Sequence, residues 1–274
     1  MGEERSQGLR KVAEGREAEM FAWGDGTILR LLRNAGAQDR LQREAVAMET
    51  ARSRGVRVPA VHSLTTVEGR PGMVMERIEG PDLLALVGRR PWKIAWGGRI
   101  LGEVHAQLHA ARASSGLPAL KAALRQRIES YDRLPEQLAG FALQLLDELP
   151  DGEGLCHGDF HPANILMAGE TPVLIDWTGA TRGDPDADVA RTLLMFRLAE
   201  LPPGSPALTR LLALIGRKVM ASAYLRAYRR QRAVEMAAVR RWEIPVAAAR
   251  LADGIEEETT NLIALLEEAY ERTG

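Results

Sequence analysis

The sequence has little of several features that would each indicate a class of protein. Cys156 is the only cysteine, so an intramolecular disulfide is impossible and a cysteine-rich metal site is excluded. The formal net charge is -1 at pH 7, so no excess of basic residues favours nucleic acid as the main partner. No apolar run reaches membrane-spanning length, and residues 1–15 lack the apolar core of a secretory signal. We therefore expect a cytoplasmic protein that binds neither nucleic acid nor a membrane.

The first 80 residues carry most of the strand signals. Residues 17–32 have the pattern of a hairpin around the turn GDGT, and residues 61–80 have that of a second hairpin around EGRPG. Between them, residues 38–55 place apolar side chains at helical spacing and end on a glycine. The predicted order is strand, strand, helix, strand, strand, which is typical of a small sheet-rich lobe.

After Gly80 the pattern becomes mainly helical. Two short strand-like runs, 164–167 and 172–176, interrupt it, and breaks in the helical tail are expected at Pro245 and Gly254. The predicted helical segments are 92–111, 119–133, 136–149 and most of 206–272. We therefore expect an α+β fold with two lobes, residues 1–80 and residues 81–274, and a small-molecule site in the cleft between them.

The segment CHGDFHPANILMAGETPVLIDW, residues 156–177, concentrates polar side chains around a short apolar hairpin. If 165–167 pair with 173–175, Asn164 and Asp176 emerge side by side, because opposed residues of antiparallel strands lie roughly 5 Å apart. An amide and a carboxylate offer oxygen ligands that suit Mg²⁺, which takes its other ligands from water and phosphates. Asp159, on the same loop, can accept a proton from an incoming hydroxyl.

Other interpretations of these polar residues stay open. His157, Asp159 and His161 alternate and could bind zinc, although zinc would normally require a third strong ligand nearby. The loop could also use its polar side chains only to satisfy backbone donors. His105 and His109, four residues apart on a predicted helix, could face a metal, but packing without one is the commoner role.

The residues HGDFHPAN, followed by LIDW, closely resemble the aminoglycoside phosphotransferase and choline kinase group, which has the protein-kinase-like fold. The resemblance extends over about residues 11–200. It implies that Asp159 is the catalytic base, that Asn164 and Asp176 hold Mg²⁺, and that His157 orients the loop backbone.

The same resemblance extends to a second short motif. The segment DADVA, residues 186–190, is similar to the family's Asp-x-Ala element. In that element Asp188 would brace the catalytic loop from the start of a helix.

A kinase-like sheet lobe needs a cation on its third strand, paired with a glutamate on the following helix. ILRLL places Arg30 at that position, and LQREAVAME offers Glu44. The commonest pattern has lysine, but arginine is permanently charged and its fork can still pair with a carboxylate and a phosphate. The substitution leaves open a protein that binds nucleotide without catalysis, and Arg30 could also be a solvated surface cation.

The segment MVMERIEG resembles the hinge between the lobes of this family. By this resemblance the Glu76 carbonyl and the Ile78 amide would bind the adenine edge. We therefore expect a kinase that uses Mg²⁺ and transfers the γ-phosphoryl group of ATP, or of GTP, to an alcohol.

The acceptor is predicted from charged segments. Acidic residues within 252–261 would suit a polyamine sugar, so Asp253, Glu256 and Glu257 are candidate ligands for an aminoglycoside-like antibiotic or a related amino-alcohol. Choline, homoserine and macrolides are alternatives within the resembling family. The basic segment 217–232 could instead attract an anionic acceptor, and both segments could be ordinary helix surface. A monomer and a homodimer both stay open.

Overall fold

The computed structural model describes residues 10–15, 17–198 and 207–273 of the 274-residue chain. Its first part is an antiparallel sheet with one helix packed against it. The elements are β1 (Lys11–Glu14), β2 (Ala18–Gly24), β3 (Thr27–Leu32), α1 (Gln38–Ser53), β4 (Val61–Val67) and β5 (Arg70–Glu76). The strand order is β1-β2-β3-β5-β4. Both predicted hairpins and the helix between them are confirmed.

β1 is an addition that the sequence pattern did not predict. All four of its residues are exposed, so the strand lacks the alternation of apolar and polar residues that marks a half-buried strand. It pairs with β2 across an irregularity between Lys11 and Ala13. The strand is therefore held by its partner and not by an apolar face of its own.

The second part is mostly helical and contains two small sheets. Its helices are α2 (Leu83–Arg89), α3 (Ile94–Leu108), α4 (Leu120–Glu129), α5 (Glu136–Glu148), α6 (Pro185–Leu198), α7 (Ala207–Gln231), α8 (Met236–Arg241), α9 (Glu243–Arg250) and α10 (Glu256–Glu271). Strand β6 (Gly154–Cys156) pairs with β9 (Thr181–Gly183), and β7 (Ile165–Ala168) pairs with β8 (Thr171–Leu174). Among the described helices, none combines the length and the apolar character that crossing a bilayer requires.

Both predicted breaks in the helical tail coincide with helix boundaries. Gly254 adopts a left-handed φ of 68° and separates two helices as expected. Pro245 lies in the first turn of α9, where a backbone N–H has no intrahelical acceptor, and Trp242 separates this helix from α8. A further interruption, at 232–235, lies between α7 and α8.

The core of the helical lobe depends on a close approach between α3 and α7. A Cβ atom on Gly98 would lie 2.4 Å from the carbonyl oxygen of Met220, and one on Gly102 would lie 2.3 Å from that of Tyr224. The two glycines are one helical turn apart and share a face of α3. Their missing side chains let α7 lie against this face, which places two tyrosines of α7 within reach of polar groups on α3.

Gly102→Ala should lower the free energy of unfolding by about 1–3 kcal/mol, because the added methyl group overpacks the contact between α3 and α7. Gly140→Ala is the matched control, since the added methyl on α5 meets nothing within 4 Å. That variant should be more stable by about 0.5–1 kcal/mol, as alanine favours a helix over glycine. Urea denaturation measures both changes, and equal stability of the two variants would contradict the close approach.

Candidate active site

A cleft of about 950 Å³ lies between the sheet and the helical lobe. It gathers predicted site residues from distant parts of the chain. Those that line it are Arg30, Glu44, Glu76, Ile78, Asp159, Asn164, Asp176, Asp188 and Asp253. The tertiary structure thus brings together a cation, an acid and oxygen-bearing side chains that the sequence separates by up to 223 residues.

Asp159 lies on the loop that follows β6, and the loop conformation depends on Gly158. Gly158 has a φ of 78°, in the left-handed region that side chains disfavour. A Cβ atom at this position would also lie 2.2 Å from the carbonyl oxygen of Gly179. Glycine is therefore required here for the loop to pack against the segment that follows Asp176.

The carboxylate of Asp188 fixes the backbone of this loop. It is 2% exposed, and it accepts hydrogen bonds from the backbone N–H of His157 at 2.6 Å and of Gly158 at 3.0 Å. The ring nitrogens Nε2 of His105 and His109 lie 3.2 and 3.3 Å from the same carboxylate. A buried carboxylate with this many donors orients its neighbours strongly, because no water competes for its oxygens.

The acceptor character of Asp188 determines the tautomers of the two histidines. An ionised carboxylate can only accept, so Nε2 of His105 and of His109 must each donate. Their Nδ1 atoms then accept from the hydroxyls of Tyr224 and Tyr228, at 2.8 and 2.7 Å. Both ring nitrogens of each histidine are therefore occupied, which accounts for this buried cluster of possible metal ligands without a metal.

Burial and hydrogen bonding set the protonation of this cluster. Burial would raise the pKa of Asp188, but the hydrogen bonds from His105 and His109 outweigh it and hold that pKa well below its ordinary value. Burial, assisted by His109, lowers the pKa of His105 to about 3, and burial also lowers the pKa of His109 and of His157. The native cluster is therefore one carboxylate among neutral histidines at neutral pH.

Asp159 presents a partly exposed carboxylate to the cleft. Its side chain is 34% exposed, with Nε2 of His161 at 3.3 Å from one oxygen and Nη2 of Arg191 at 3.5 Å from the other. Burial acts to raise the pKa of Asp159, but His161 and Arg191 outweigh it, and the pKa lies below its ordinary value. Asp159 is consequently ionised at neutral pH.

Asn164 and Asp176 lie at the end of the hairpin formed by β7 and β8. Nδ2 of Asn164 donates to the carbonyl oxygen of Asp159 at 2.9 Å, so Oδ1 remains as the oxygen that can face a cation. Asp176 is exposed in the cleft and has a φ of 62°, a strained conformation for a residue with a side chain. The predicted register is wrong by one residue: Ile165 pairs with Leu174, so Asn164 lies opposite Ile175 and Asp176 is the next residue beyond.

His157 connects this hairpin to the loop that carries Asp159. Its Nε2 lies 3.0 Å from the carbonyl oxygen of Ile175 and must donate to it, and its Nδ1 accepts from the backbone N–H of Asp159 at 3.3 Å. Its ring packs edge-on against the buried Trp177. Because both ring nitrogens have protein partners, the zinc interpretation of His157, Asp159 and His161 is not supported by the geometry.

Arg30 and Glu44 form a buried ion pair between β3 and α1. Nη1 of Arg30 lies 2.5 Å from Oε2 of Glu44, and their side chains are 10% and 5% exposed. Burial raises the pKa of Glu44, although Arg30 and Arg40 act to lower it. Arg40 was not predicted as a site residue, yet it lines the cleft with its Nε 3.6 Å from the second oxygen of Glu44.

The hinge follows β5. Glu76 is the last residue of that strand, and its carboxylate accepts from Arg57 at 2.8 Å and from the backbone N–H of Ala60 at 3.1 Å. Since the side chain of Glu76 is anchored to this neighbouring segment, its backbone and not its carboxylate is available to a ligand in the cleft. The adjoining wall of the cleft is apolar and consists of Met20, Ile28, Met48, Met73 and Met75.

The three predicted acceptor ligands are separated in the structure. Asp253 lines the cleft. Glu256 forms an exposed ion pair with Arg133, at 3.0 Å, and Glu257 is also exposed. The structure does not bring Glu256 or Glu257 into the cleft.

Sequence reasoning missed several cleft residues besides Arg40. These are Arg127 on α4, Arg191 on α6 and Arg250 on α9, each of which contacts Asp253. His161 belongs to the quoted motif but was considered only as a zinc ligand. The three arginines carried no signal that could have found them, because each lies in an ordinary amphipathic helix.

Comparison with protein-family models decides the family. The model described as the phosphotransferase enzyme family (APH) matches residues 8–242, most of the chain. The chain belongs to the phosphotransferase enzyme family. Members of this family are ATP-dependent phosphotransferases that act on hydroxyl groups of small molecules, as the motif resemblance implied. No curated protein sequence matches this phosphotransferase.

Solved structures establish the fold of this phosphotransferase. A thermostable mutant of aminoglycoside phosphotransferase APH(4)-Ia, in its apo form, is 18% identical with a TM-score of 0.66, covering 97% of this chain and 94% of that chain. Amicoumacin kinase hAmiN, in complex with AMP-PNP, Ca²⁺ and Ami, is 14% identical with a TM-score of 0.68, covering 99% and 90%. Macrolide 2'-phosphotransferase MphH from Brachybacterium faecium is 20% identical with a TM-score of 0.58, covering 95% and 92%. The predicted protein-kinase-like, two-lobed α+β fold is confirmed.

Because the histidines around Asp188 are neutral in the native protein, we expect the free energy of unfolding to fall as the pH is lowered. In the unfolded chain they take up protons below about pH 6.5, whereas in the native protein they stay neutral, His105 down to about pH 3. The unfolded state then binds more protons than the native state. Each such histidine therefore lowers the free energy of unfolding by about 1.4 kcal/mol for each pH unit of acidification in this window. Asp186 and Glu44 act in the opposite direction, since burial raises both pKa values, that of Asp186 to about 6, but they are two groups against three.

Urea denaturation at pH 7.5, 6 and 5 tests this expectation. His109→Gln should flatten the pH dependence even if it lowers the stability at every pH, because it removes one titrating group. The control is His62→Gln on the exposed side of β4, which should leave the slope unchanged. A stability that is the same at pH 5 and pH 7.5 in the parent protein would contradict the neutral cluster.

Proposed function

We propose that this phosphotransferase transfers the γ-phosphoryl group of ATP to an acceptor hydroxyl, with Asp159 as the catalytic base and Mg²⁺ held by Asn164 and Asp176. The observation that carries the proposal is the convergence of these three side chains with the Arg30–Glu44 pair on one cleft. A protein that only bound nucleotide would need no ionised carboxylate beside the acceptor position. The lobes 1–80 and 81–274 serve as the nucleotide-binding and acceptor-binding parts.

In the reaction the acceptor oxygen attacks the γ-phosphorus in line, and the bond from that phosphorus to the β–γ bridging oxygen breaks. The hydroxyl proton passes to Asp159, and ADP leaves. Because its pKa is depressed, Asp159 is a weak base whose main effect is to orient the hydroxyl until the proton becomes acidic. His161 and Arg191 hold the two carboxylate oxygens in place.

The side chains at the hairpin end fit a magnesium ion. Oδ1 of Asn164 and the carboxylate of Asp176 make an all-oxygen donor set, which is what a hard divalent cation prefers. A bound Mg²⁺ would neutralise charge on the nucleotide phosphates. The strained φ of Asp176 fits a residue whose position is set by function and not by local backbone preference.

Arg30 is proposed to bind the α- and β-phosphates in place of the usual lysine. Glu44 holds its guanidinium through Nη1, Arg30 lines the cleft, and a guanidinium fork has further N–H donors that match a phosphate. Asp188 and His157 support the loop from behind and do not touch substrate. Backbone atoms of Glu76 and Ile78 would bind the base, for which both ATP and GTP stay possible.

The expectation of an aminoglycoside-like or amino-alcohol acceptor stays a prediction, and with it a role in antibiotic resistance. Its support was the acidic segment 252–261, of which the cleft contains Asp253 but neither Glu256 nor Glu257. The oligomeric state, monomer or homodimer, also stays a prediction.

Asp159→Asn should reduce phosphoryl transfer by about 10²- to 10⁴-fold, the usual contribution of a general base. The assay is a screen of aminoglycosides, macrolides, amino-alcohols and hydroxy acids with ATP, read by mass spectrometry of the product. Asp151→Asn, at an exposed position near the same loop, is the control and should keep the parental rate. Parental transfer by the Asp159 variant would refute its role.

Asp176→Asn should raise the Mg²⁺ concentration needed for half-maximal activity at least about tenfold, because a neutral amide replaces a charged ligand. Titration of activity with Mg²⁺ at saturating ATP measures the change. Asp25→Asn, in the exposed turn between β2 and β3, is the control. If the two variants require the same Mg²⁺ concentration as the parent, the hairpin end does not hold the metal.

A further inference from the structure

A second arginine lies on the sheet side of the cleft, and the proposed phosphoryl transfer gives it no role. Arg40 is in the first turn of α1, one helical turn before Glu44, and both residues line the cleft. The side chain of Arg40 is 33% exposed, against 10% for the buried Arg30. Arg40 is therefore the more accessible of these two cations.

Glu44 faces both arginines but completes only one of the two contacts. Its Oε2 lies 2.5 Å from Nη1 of Arg30, whereas its Oε1 lies 3.6 Å from Nε of Arg40, too far for a normal hydrogen bond. Glu44 is 4% exposed, and among the described residues this Oε1 has no hydrogen-bond partner. A buried carboxylate oxygen without a partner is costly. The contact between Glu44 and Arg40 is therefore incomplete in this structure.

A second carboxylate, that of Glu17, pairs with the other end of the Arg40 guanidinium. Glu17 directly precedes β2, lines the cleft and accepts a hydrogen bond from Nη2 of Arg40. Its side chain is 50% exposed. An ion pair with so exposed a partner contributes little to stability. A ligand with several negative charges can therefore displace Glu17 from Arg40 at small cost.

Arg40 is also close to the proposed magnesium ligand. Burial acts to lower the pKa of Arg40, but the carboxylates of Glu17, Glu44 and Asp176 outweigh it and raise that pKa. Asp176 is proposed to hold Mg²⁺, which bridges β- and γ-phosphate oxygens in kinases. A cation that interacts with Asp176 is thus placed near the β- and γ-phosphates and not near the base at the hinge.

We propose that Arg40 binds the β- and γ-phosphates of the nucleotide, and that Glu17 occupies its guanidinium until the nucleotide binds. Phosphate oxygens then replace the Glu17 carboxylate on Nη2. Nε of Arg40 moves to donate to Oε1 of Glu44, so each oxygen of Glu44 holds one arginine. No excess of positive charge is required, because one anion replaces another. The inference rests on the nucleotide binding in the proposed function and goes beyond it.

Calorimetric titration with AMP-PNP and with AMP, both in the presence of Mg²⁺, tests the role of Arg40. Arg40→Gln should weaken AMP-PNP binding at least about tenfold, because charge-assisted hydrogen bonds to phosphate are lost. The affinity for AMP, which lacks the β- and γ-phosphates, should stay within about twofold of the parental value. Equal weakening of both nucleotides would mean a distorted site, and an unchanged AMP-PNP affinity would mean no phosphate contact. Either result would overturn the proposal.

Glu17→Gln should have the opposite effect, because it removes the carboxylate that competes with the phosphates. AMP-PNP should bind about twofold to fivefold more tightly, in keeping with the small energy of an exposed ion pair, and AMP should bind as before. If this variant bound AMP-PNP no more tightly than the parent, Glu17 would not compete with the nucleotide and the proposal would be wrong.

The ion pair of Arg33 with Glu14 provides matched controls on the same lobe. Its side chains are 41% and 53% exposed, against 33% and 50% for Arg40 and Glu17, and neither is among the described residues that line the cleft. Arg33→Gln and Glu14→Gln change the net charge by the same amounts as the two test variants. Both should keep the parental affinity for AMP-PNP. Effects as large as those of the test variants would mean unspecific electrostatics and would overturn the proposal.

The parent protein separates this inference from the function on which it rests. Failure of the parent to bind AMP-PNP with Mg²⁺ would refute nucleotide binding, and the role of Arg40 would fall with it. If the parent binds AMP-PNP and transfers phosphate in a reaction that depends on Asp159, while Arg40→Gln binds AMP-PNP normally, only the role of Arg40 is refuted.

Discussion

The interaction on which the site depends is the buried carboxylate of Asp188. It accepts hydrogen bonds from two successive backbone N–H groups of the loop that carries Asp159. It also accepts hydrogen bonds from Nε2 of two neutral histidines. Through the tyrosine hydroxyls beyond those histidines, the loop that carries Asp159 is connected to α7, far along the chain. Because the cluster is buried and nearly every one of its hydrogen-bonding atoms has a partner, the loop has one favoured position and not several.

Around that loop, charge is arranged differently on the two sides of the cleft. On the sheet side Glu44 balances the charge of Arg30 in a buried ion pair. On the helical side Arg127, Arg191 and Arg250 pair with Asp253, Glu258 and the ionised Asp159, so cations and acids are equal in number.

Much of this arrangement was accessible from the sequence because it is encoded locally. The hairpins, the central helix of the sheet lobe and the polar loop 156–177 each have short-range signals, and all occur where they were predicted. The errors have equally local reasons. β1 has no apolar face to signal a strand, and the pairing of β7 with β8 differs by one residue from the expected register.

By itself, then, the sequence determined the catalytic motif, the two-lobed fold and the pairing of a strand cation with a helix acid, since spacing and periodicity act over short distances. Only the tertiary structure determined which charged side chains from separate helices lie close together. Asp253 looked like a free acid in the sequence, but in the fold three arginines surround it. Electrostatic interactions depend on distance in space, which the order of residues along the chain does not reveal.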